Sequence, residues 1–400
     1  MKLHRVRQEF PRPCIAPEKI EATTRQQLEH CGAHITRGAS IAIACGSRGI
    51  ANVDRIAKTV VEWVRAAGGK PFIIPAMGSH GGATAKGQAA VLEAYGINEQ
   101  TMGCPIRSSM DVMELRPDAL FMDRHAWESD GVILINRIKP HTDFHGQFES
   151  GLVKMSVIGL GKEKQAIAMH AWGIIGLRDM IPQIARRVVE MGKILLGVGI
   201  VENAYDETAM IEAIAAKDFF AREPELLAIA KQNMPRLPVE DIDVLIVDQL
   251  GKNISGTGID TNIIGRIRID GQPEPSSPRI KSIVVSDLTP ETHGNACGIG
   301  LADIVTRRLA DKIDFKTTYT NIITSGFLER GKLPVVADTD RHAFEIALRA
   351  AGCREPENAR VIRIRDTLHL SNILVSASVL SVMRNRGLDG GEPRYDPVPE

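Results

Sequence analysis

The chain predicts an α/β protein built of two α/β domains. Three observations carry that expectation. Short apolar runs alternate with longer amphipathic ones along most of the sequence. Glycine-rich loops follow the apolar runs, as they do where buried strands hand over to helices. At 400 residues the chain is too long for one ordinary core.

Taken in order, SIAIACGSRG reads as a buried strand ending in a glycine loop. NVDRIAKTVVEWVRAAGG follows with Val53, Ile56, Val60, Val61 and Val64 at helical spacing, closed by glycine. KPFIIPAMGSHGGAT is again strand then loop, and AKGQAAVLEAYG again helix. GVILINRIKPH is a third strand, MIPQIARRVVEMGK a helix and KILLGVGIVENA a strand. This alternation implies a parallel or mixed sheet with helices on both faces. Two prolines in KQNMPRLPVEDID mark a boundary, giving domains 1–237 and 238–384. DVLIVDQLGKNISGTG opens the second unit; KSIVVSDLTPE, LADIVTRRLADKI, TNIITSGF and ARVIRIRD continue it. The polar, Gly- and Pro-rich tail, 385–400, is expected to return to the first domain.

Composition narrows the function. The chain is 44% hydrophobic and 24% charged, which supplies ample core. Its formal net charge is zero, which argues against nucleic acid or an anionic membrane surface as partner. Aromatic residues make up only 4%, too few for base-stacking platforms. The six cysteines are scattered and form no CxxC, so they read as reduced thiols of a cytoplasmic protein. The N-terminus has no apolar secretory core, and no run of roughly 18 apolar residues would span a membrane.

In open α/β sheets, ligands bind at the carboxyl ends of the strands, and with two domains the expected site is the cleft between them. Four loops fall at strand ends. CGSRG carries Arg48 between glycines, where a guanidinium fork can meet a carboxylate or phosphate. GSHGGAT carries His80 where the chain turns into a helix, a place that binds anions. KPHTDFHG holds His141 and His145; Pro140 and Gly146 make it a loop, and His141 is the better candidate. QLGKNISGTG sets Gln249 and Lys252 after a strand. Lys154, on the apolar segment VKMSVIGLG, is either snorkelling or buried and reactive. His170, in AIAMHAW, taken alone reads as a core histidine. Several motifs are excluded: GKNISGTG lacks Walker A order, GLGKEKQ is no dinucleotide fingerprint, and there is no GxSxG elbow.

As an ordered set, these clusters resemble the nickel-dependent lactate racemase family along the whole chain. Lys154 and His170, sixteen residues apart with the second closing IAMH, are similar to the family's cofactor-anchoring lysine and nickel-ligand histidine. His80 and His141 match its two acid/base histidines, Arg48 a substrate-site arginine, and Gln249 and Lys252 its substrate-contacting pair. The resemblance implies a nickel-pincer nucleotide (nickel pyridinium-3,5-bisthiocarboxylic acid mononucleotide), which holds nickel through carbon and two sulfurs. His170 would supply the metal's protein ligand, and Lys154 would contact the ring substituent or bond to it. The implied activity is racemisation or epimerisation of a small 2-hydroxy acid by reversible hydride removal at C2. The implied partners are that substrate and the proteins that make the cofactor. The chain departs from the pattern in three places, the third being the family's aromatic substrate contact in the second domain, which has no plain counterpart. Cys45 stands at a cofactor-side position where an aspartate is typical, and the His141–Lys154 spacing is longer than usual. Phe327, in TSGFLERG, is the candidate for an aromatic substrate contact. A larger hydroxy acid than lactate fits these departures. The alternatives are a lyase, dehydratase or redox enzyme on the same scaffold, or a non-catalytic cofactor-binding homologue.

Overall fold

In the computed structural model, residues 1–46, 49–116, 120–385 and 394–396 are described. The chain divides into two compact units, Pro11–Met234 and a second made of Met1–Phe10 with Pro235–Glu400.

The first unit is built on a five-stranded sheet in the order Lys70–Pro75, Ser40–Cys45, Gly131–Arg137, Ile194–Glu202, Thr208–Ala215. The first four strands run parallel and the last is antiparallel. Apolar residues fill both faces of the central strands. Ile41, Ile43, Cys45, Ile73, Ile133 and Ile135 pack under helix Val53–Ala66, whose Val53, Ile56, Ala57, Val60, Val61 and Val64 are all buried. That is the helical face read from the sequence. Gly68, at φ +84, ends the helix. The antiparallel strand Thr208–Ala215 and a two-stranded ribbon, Val112–Arg116 with Leu120–Asp123, went unread in the sequence.

The segment after strand Gly131–Arg137 is more helical than its apolar composition suggests. Leu152–Lys154 begins a helix that widens into a π-helical turn over Met155–Gly159; helix Lys162–His170 follows. A second π-helical turn covers Gly176–Met180. Such wide turns recur at functional sites.

The second unit carries an eight-stranded mixed sheet. Its parallel part runs Val335–Ala337, Ile304–Thr306, Arg279–Leu288, Asp241–Leu250, Val361–Ile364. Asn372–Val375, Leu3–Arg7 and Arg394–Asp396 extend it antiparallel. Two parts of the chain therefore differ from the sequence expectation. The first strand belongs to this sheet, because Leu3 buries its side chain in the same core as Val244 and Val361. The tail segment Arg394–Asp396 pairs with that strand, which carries it to the second unit's sheet. Among the described residues no helix is long and apolar enough to cross a membrane.

Candidate active site

The site in the first unit follows from sheet order. From Ser40–Cys45 the chain moves to the neighbour on one side, Lys70–Pro75, and later crosses to the other side, Gly131–Arg137. At such a reversal the loops leaving the carboxyl ends part and open a crevice. Three of the sequence's candidate loops leave from here. Ser47 and Arg48 lie outside the described residues.

The loop after Gly131–Arg137 is organised by Glu149, which is almost wholly buried. Its carboxylate accepts the His141 backbone N–H at 2.6 Å and the Gly146 N–H at 3.3 Å. It also lies 3.3 Å from His145 Nδ1 and 2.6 Å from Lys231 Nζ. Burial pushes the carboxyl group's pKa up, but the bonds from His145 and Lys231 and the His141 amide outweigh it, and the net shift is downward. His145 is thus engaged in building the loop, and His141 presents its ring. The His141 ring stacks on Phe144 with centroids 4.5 Å apart. Its Nδ1 accepts the Asp143 backbone N–H at 3.0 Å. A neutral ring so held carries its proton on Nε2. That nitrogen sits 2.5 Å from Lys154 Nζ. Imidazole and amine are therefore arranged around one shared proton, and Lys154 is half-buried, its ammonium end 5.9 Å from the Phe144 ring centre.

Lys154 is placed by the helix start beneath it. Glu223, from helix Phe219–Asn233, accepts the Val153 N–H at 2.9 Å. Asn136 Nδ2 donates to the Gly151 carbonyl at 3.0 Å. Gly151 must be glycine here, since a Cβ would lie 2.4 Å from Glu223 Oε1. The segment then runs through the π-helical turn to His170, half-buried at the end of its helix.

The His80 loop packs directly on that segment. A Cβ on Gly78 would lie 3.1 Å from the Ile158 side chain, and one on Gly159 would lie 2.9 Å from the Ala76 carbonyl. His80 is exposed, in a run with left-handed Gly78, Gly81, Gly82 and Ala83. His80 stands at the start of the short 3-10 turn Gly81–Ala83, one turn ahead of the helix that the sequence placed it against. Thr84 caps helix Ala85–Ala94, accepting the Gly87 N–H at 3.0 Å. The extra turn lets Gly81 and Gly87 touch backbone to backbone.

In fold, the chain is similar to a lactate racemase. The match is to the lactate racemase apoprotein of Thermoanaerobacterium thermosaccharolyticum, with a TM-score of 0.57 at 12% identity, covering 92% of this chain and 99% of that one. The likeness shows the α/β fold. No protein-family model and no curated protein matches the sequence.

Cys45 is 0% exposed and belongs to the apolar core. Burial pushes its thiol up to about 12, so it is a neutral packing group at the strand end with no surface to offer a cofactor. In the second unit, Gln249 is half-buried at the end of strand Asp241–Leu250. Lys252 starts the following loop and turns its ammonium back onto that loop, donating to the Gly256 carbonyl at 2.7 Å. Phe327 is 9% exposed, with the Arg330 guanidinium 5.8 Å from its ring centre. The sequence reading missed several buried polar groups. Asp366 holds His369 Nδ1 at 2.9 Å, just beyond strand Val361–Ile364. Glu149, Glu223, Gln88 and Lys162 are buried in the first unit.

Proposed function

We propose that this chain is a racemase or epimerase of a 2-hydroxy acid that works with a nickel-pincer nucleotide. The observation that carries the reading is the contact of His141 Nε2 with the Lys154 amine, on a segment that ends in His170 and packs against the His80 loop. An amine that shares a proton with an imidazole nitrogen at 2.5 Å is suited to hold, or to bond with, an acidic ring substituent. The donor set also fits the group. Among the described residues no cluster of three or more His, Cys, Asp or Glu is placed to hold a metal ion. A pincer that brings carbon and sulfur donors of its own would ask the chain for little more than one imidazole, and His170 would hold the nickel.

The chemistry then divides among the chain's residues. Pulling the C2 proton from a 2-hydroxycarboxylate would leave a dianion. Removing C2–H with its electron pair leaves a neutral ketone, provided the hydroxyl proton is taken at the same time. When bound, the nickel-pincer nucleotide would supply the reversible hydride acceptor. His141 is proposed to take the hydroxyl proton at Nε2 as the proton already on that nitrogen passes to the neutral Lys154 amine beside it. His80 takes that part for the opposite enantiomer. Returning hydride to the other face of the ketone, and the proton to its oxygen, completes inversion. Arg48, Gln249 and Lys252 are proposed to hold the carboxylate, with Phe327 against the substrate's carbon chain.

The test uses protein co-produced with the cofactor-making proteins. Nickel content of His170→Ala should fall well below that of His80→Ala and His141→Ala. A substrate deuterated at C2 should keep its label through racemisation. Equal nickel in the three variants would remove His170 as ligand, and early washout of C2 deuterium into water would overturn the hydride route.

A further inference from the structure

We propose that Lys162, through Asp123 and Gln88, is a positioning residue that ties the His80 loop to the helix carrying His170. Lys162 opens helix Lys162–His170 and is 0% exposed. It sits at φ +56, a left-handed conformation that a lysine seldom adopts. That conformation sends the side chain inward. Three oxygens surround its ammonium. Nζ donates to the Pro75 carbonyl, lies 3.3 Å from Gln88 Oε1, and pairs with Asp123 Oδ2 at 3.0 Å. Burial pulls the lysine's pKa down, and the Asp123 charge and hydrogen bond work against that.

Gln88 carries the link onward. It is fully buried, and its amide donates to the Gly78 carbonyl at 2.9 Å and the His80 carbonyl at 3.2 Å. One ammonium thus holds the end of strand Lys70–Pro75, and one amide holds the two carbonyls that flank the turn bearing His80. At the other end of the same helix stands His170. Gln165 fastens this helix a second time, accepting the Phe121 N–H at 2.9 Å.

Stability alone is a poor reason for this arrangement. Apolar residues of similar volume usually serve a core as well as a buried ion pair, or better. What an ion pair with two further directed bonds adds is a fixed geometry. Here the ammonium's contacts end on Gln88, whose amide holds the His80 loop, on the strand that feeds that loop, and on the ribbon behind the His170 helix. The tether rests on these contacts. Its catalytic consequence rests on the reading of His80 as an acid/base group.

Two variants test it. Gln88→Leu removes the clasp and leaves the ion pair. The double variant Lys162→Met, Asp123→Asn replaces the ion pair and keeps the bond from the Ala126 N–H that Asp123 accepts. In cofactor-free protein, amide hydrogen exchange over residues 76–92 should quicken at least tenfold in both, with strand Ile194–Glu202 unchanged. In nickel-loaded protein, kcat for racemisation should fall at least tenfold, with KM and nickel content within twofold of the parent. Unchanged exchange over 76–92 overturns the tether. Quickened exchange with kcat unaltered overturns the positioning role. If the parent protein racemises no 2-hydroxy acid, the functional reading fails by itself, and the exchange measurement still decides the tether. Should the double variant not fold, Gln88→Leu carries the test alone.

Discussion

Glu223 should make the first unit less stable as pH rises from 5 to 8. Its side chain is 0% exposed, and Oε1 has no hydrogen-bond partner among the described residues. Burial raises its pKa from the ordinary 4.5 to about 7, against the opposing bonds from the Val153 and Leu152 amides. The folded chain therefore keeps a proton that the unfolded chain has already released between pH 4.5 and 7. Stability from this group is fully present below 4.5 and is lost as pH climbs through 7. At about 1.4 kcal/mol per pH unit, a shift of roughly 2.5 units removes about 3 kcal/mol by pH 8. Glu223→Gln cannot titrate, so its unfolding free energy should lack this fall. All three tryptophans, Trp63, Trp127 and Trp172, lie in the first unit, so their fluorescence during urea unfolding reports on it without the second. Stability should be measured at pH 5, 6, 7 and 8 in both proteins. Parallel pH profiles would show that Glu223 does not hold a proton at neutral pH and would refute the reasoning.

Gly87→Ala sets helix propensity against a close approach. Alanine gains up to about 1 kcal/mol over glycine inside a helix. Its Cβ, however, would lie 1.8 Å from the Gly81 carbonyl, so the His80 loop must move. A net loss of about 1–3 kcal/mol in urea unfolding is expected, and a stabilised variant would mean that the two glycines do not touch. Cys45→Ser should cost about 1–3 kcal/mol by burying a hydroxyl in an apolar core, with nickel content unchanged. In the native parent at pH 8 a thiol reagent should label exposed Cys14 and leave Cys45 untouched. Rapid native labelling of Cys45 would place its thiol at a surface.

Much of this fold could be read from local patterns, because the period of apolar residues follows backbone geometry. The helix Val53–Ala66 and the strands Ser40–Cys45, Lys70–Pro75 and Gly131–Arg137 are legible in that way. So are the candidate loops, since glycines and histidines at strand ends stand out from their apolar neighbours. Three features were not legible. Strand Leu3–Arg7 is five residues long, and its place depends on pairing with Asn372–Val375, some 370 positions away. The π-helical turn over Met155–Gly159 has the composition of a strand. The partners of Lys154, Lys162, Glu149 and Glu223 are set by long-range contacts that no spacing encodes.

By itself, then, the sequence determined the α/β alternation and the residue types available for chemistry. Tertiary structure alone decided that His141 meets Lys154, that His145 serves Glu149, that His80 sits ahead of its helix and that Cys45 is core. The physical reason is that a periodic pattern needs only neighbours to be expressed, whereas a side chain's burial and hydrogen-bond partners depend on which distant segments the packed core brings beside it.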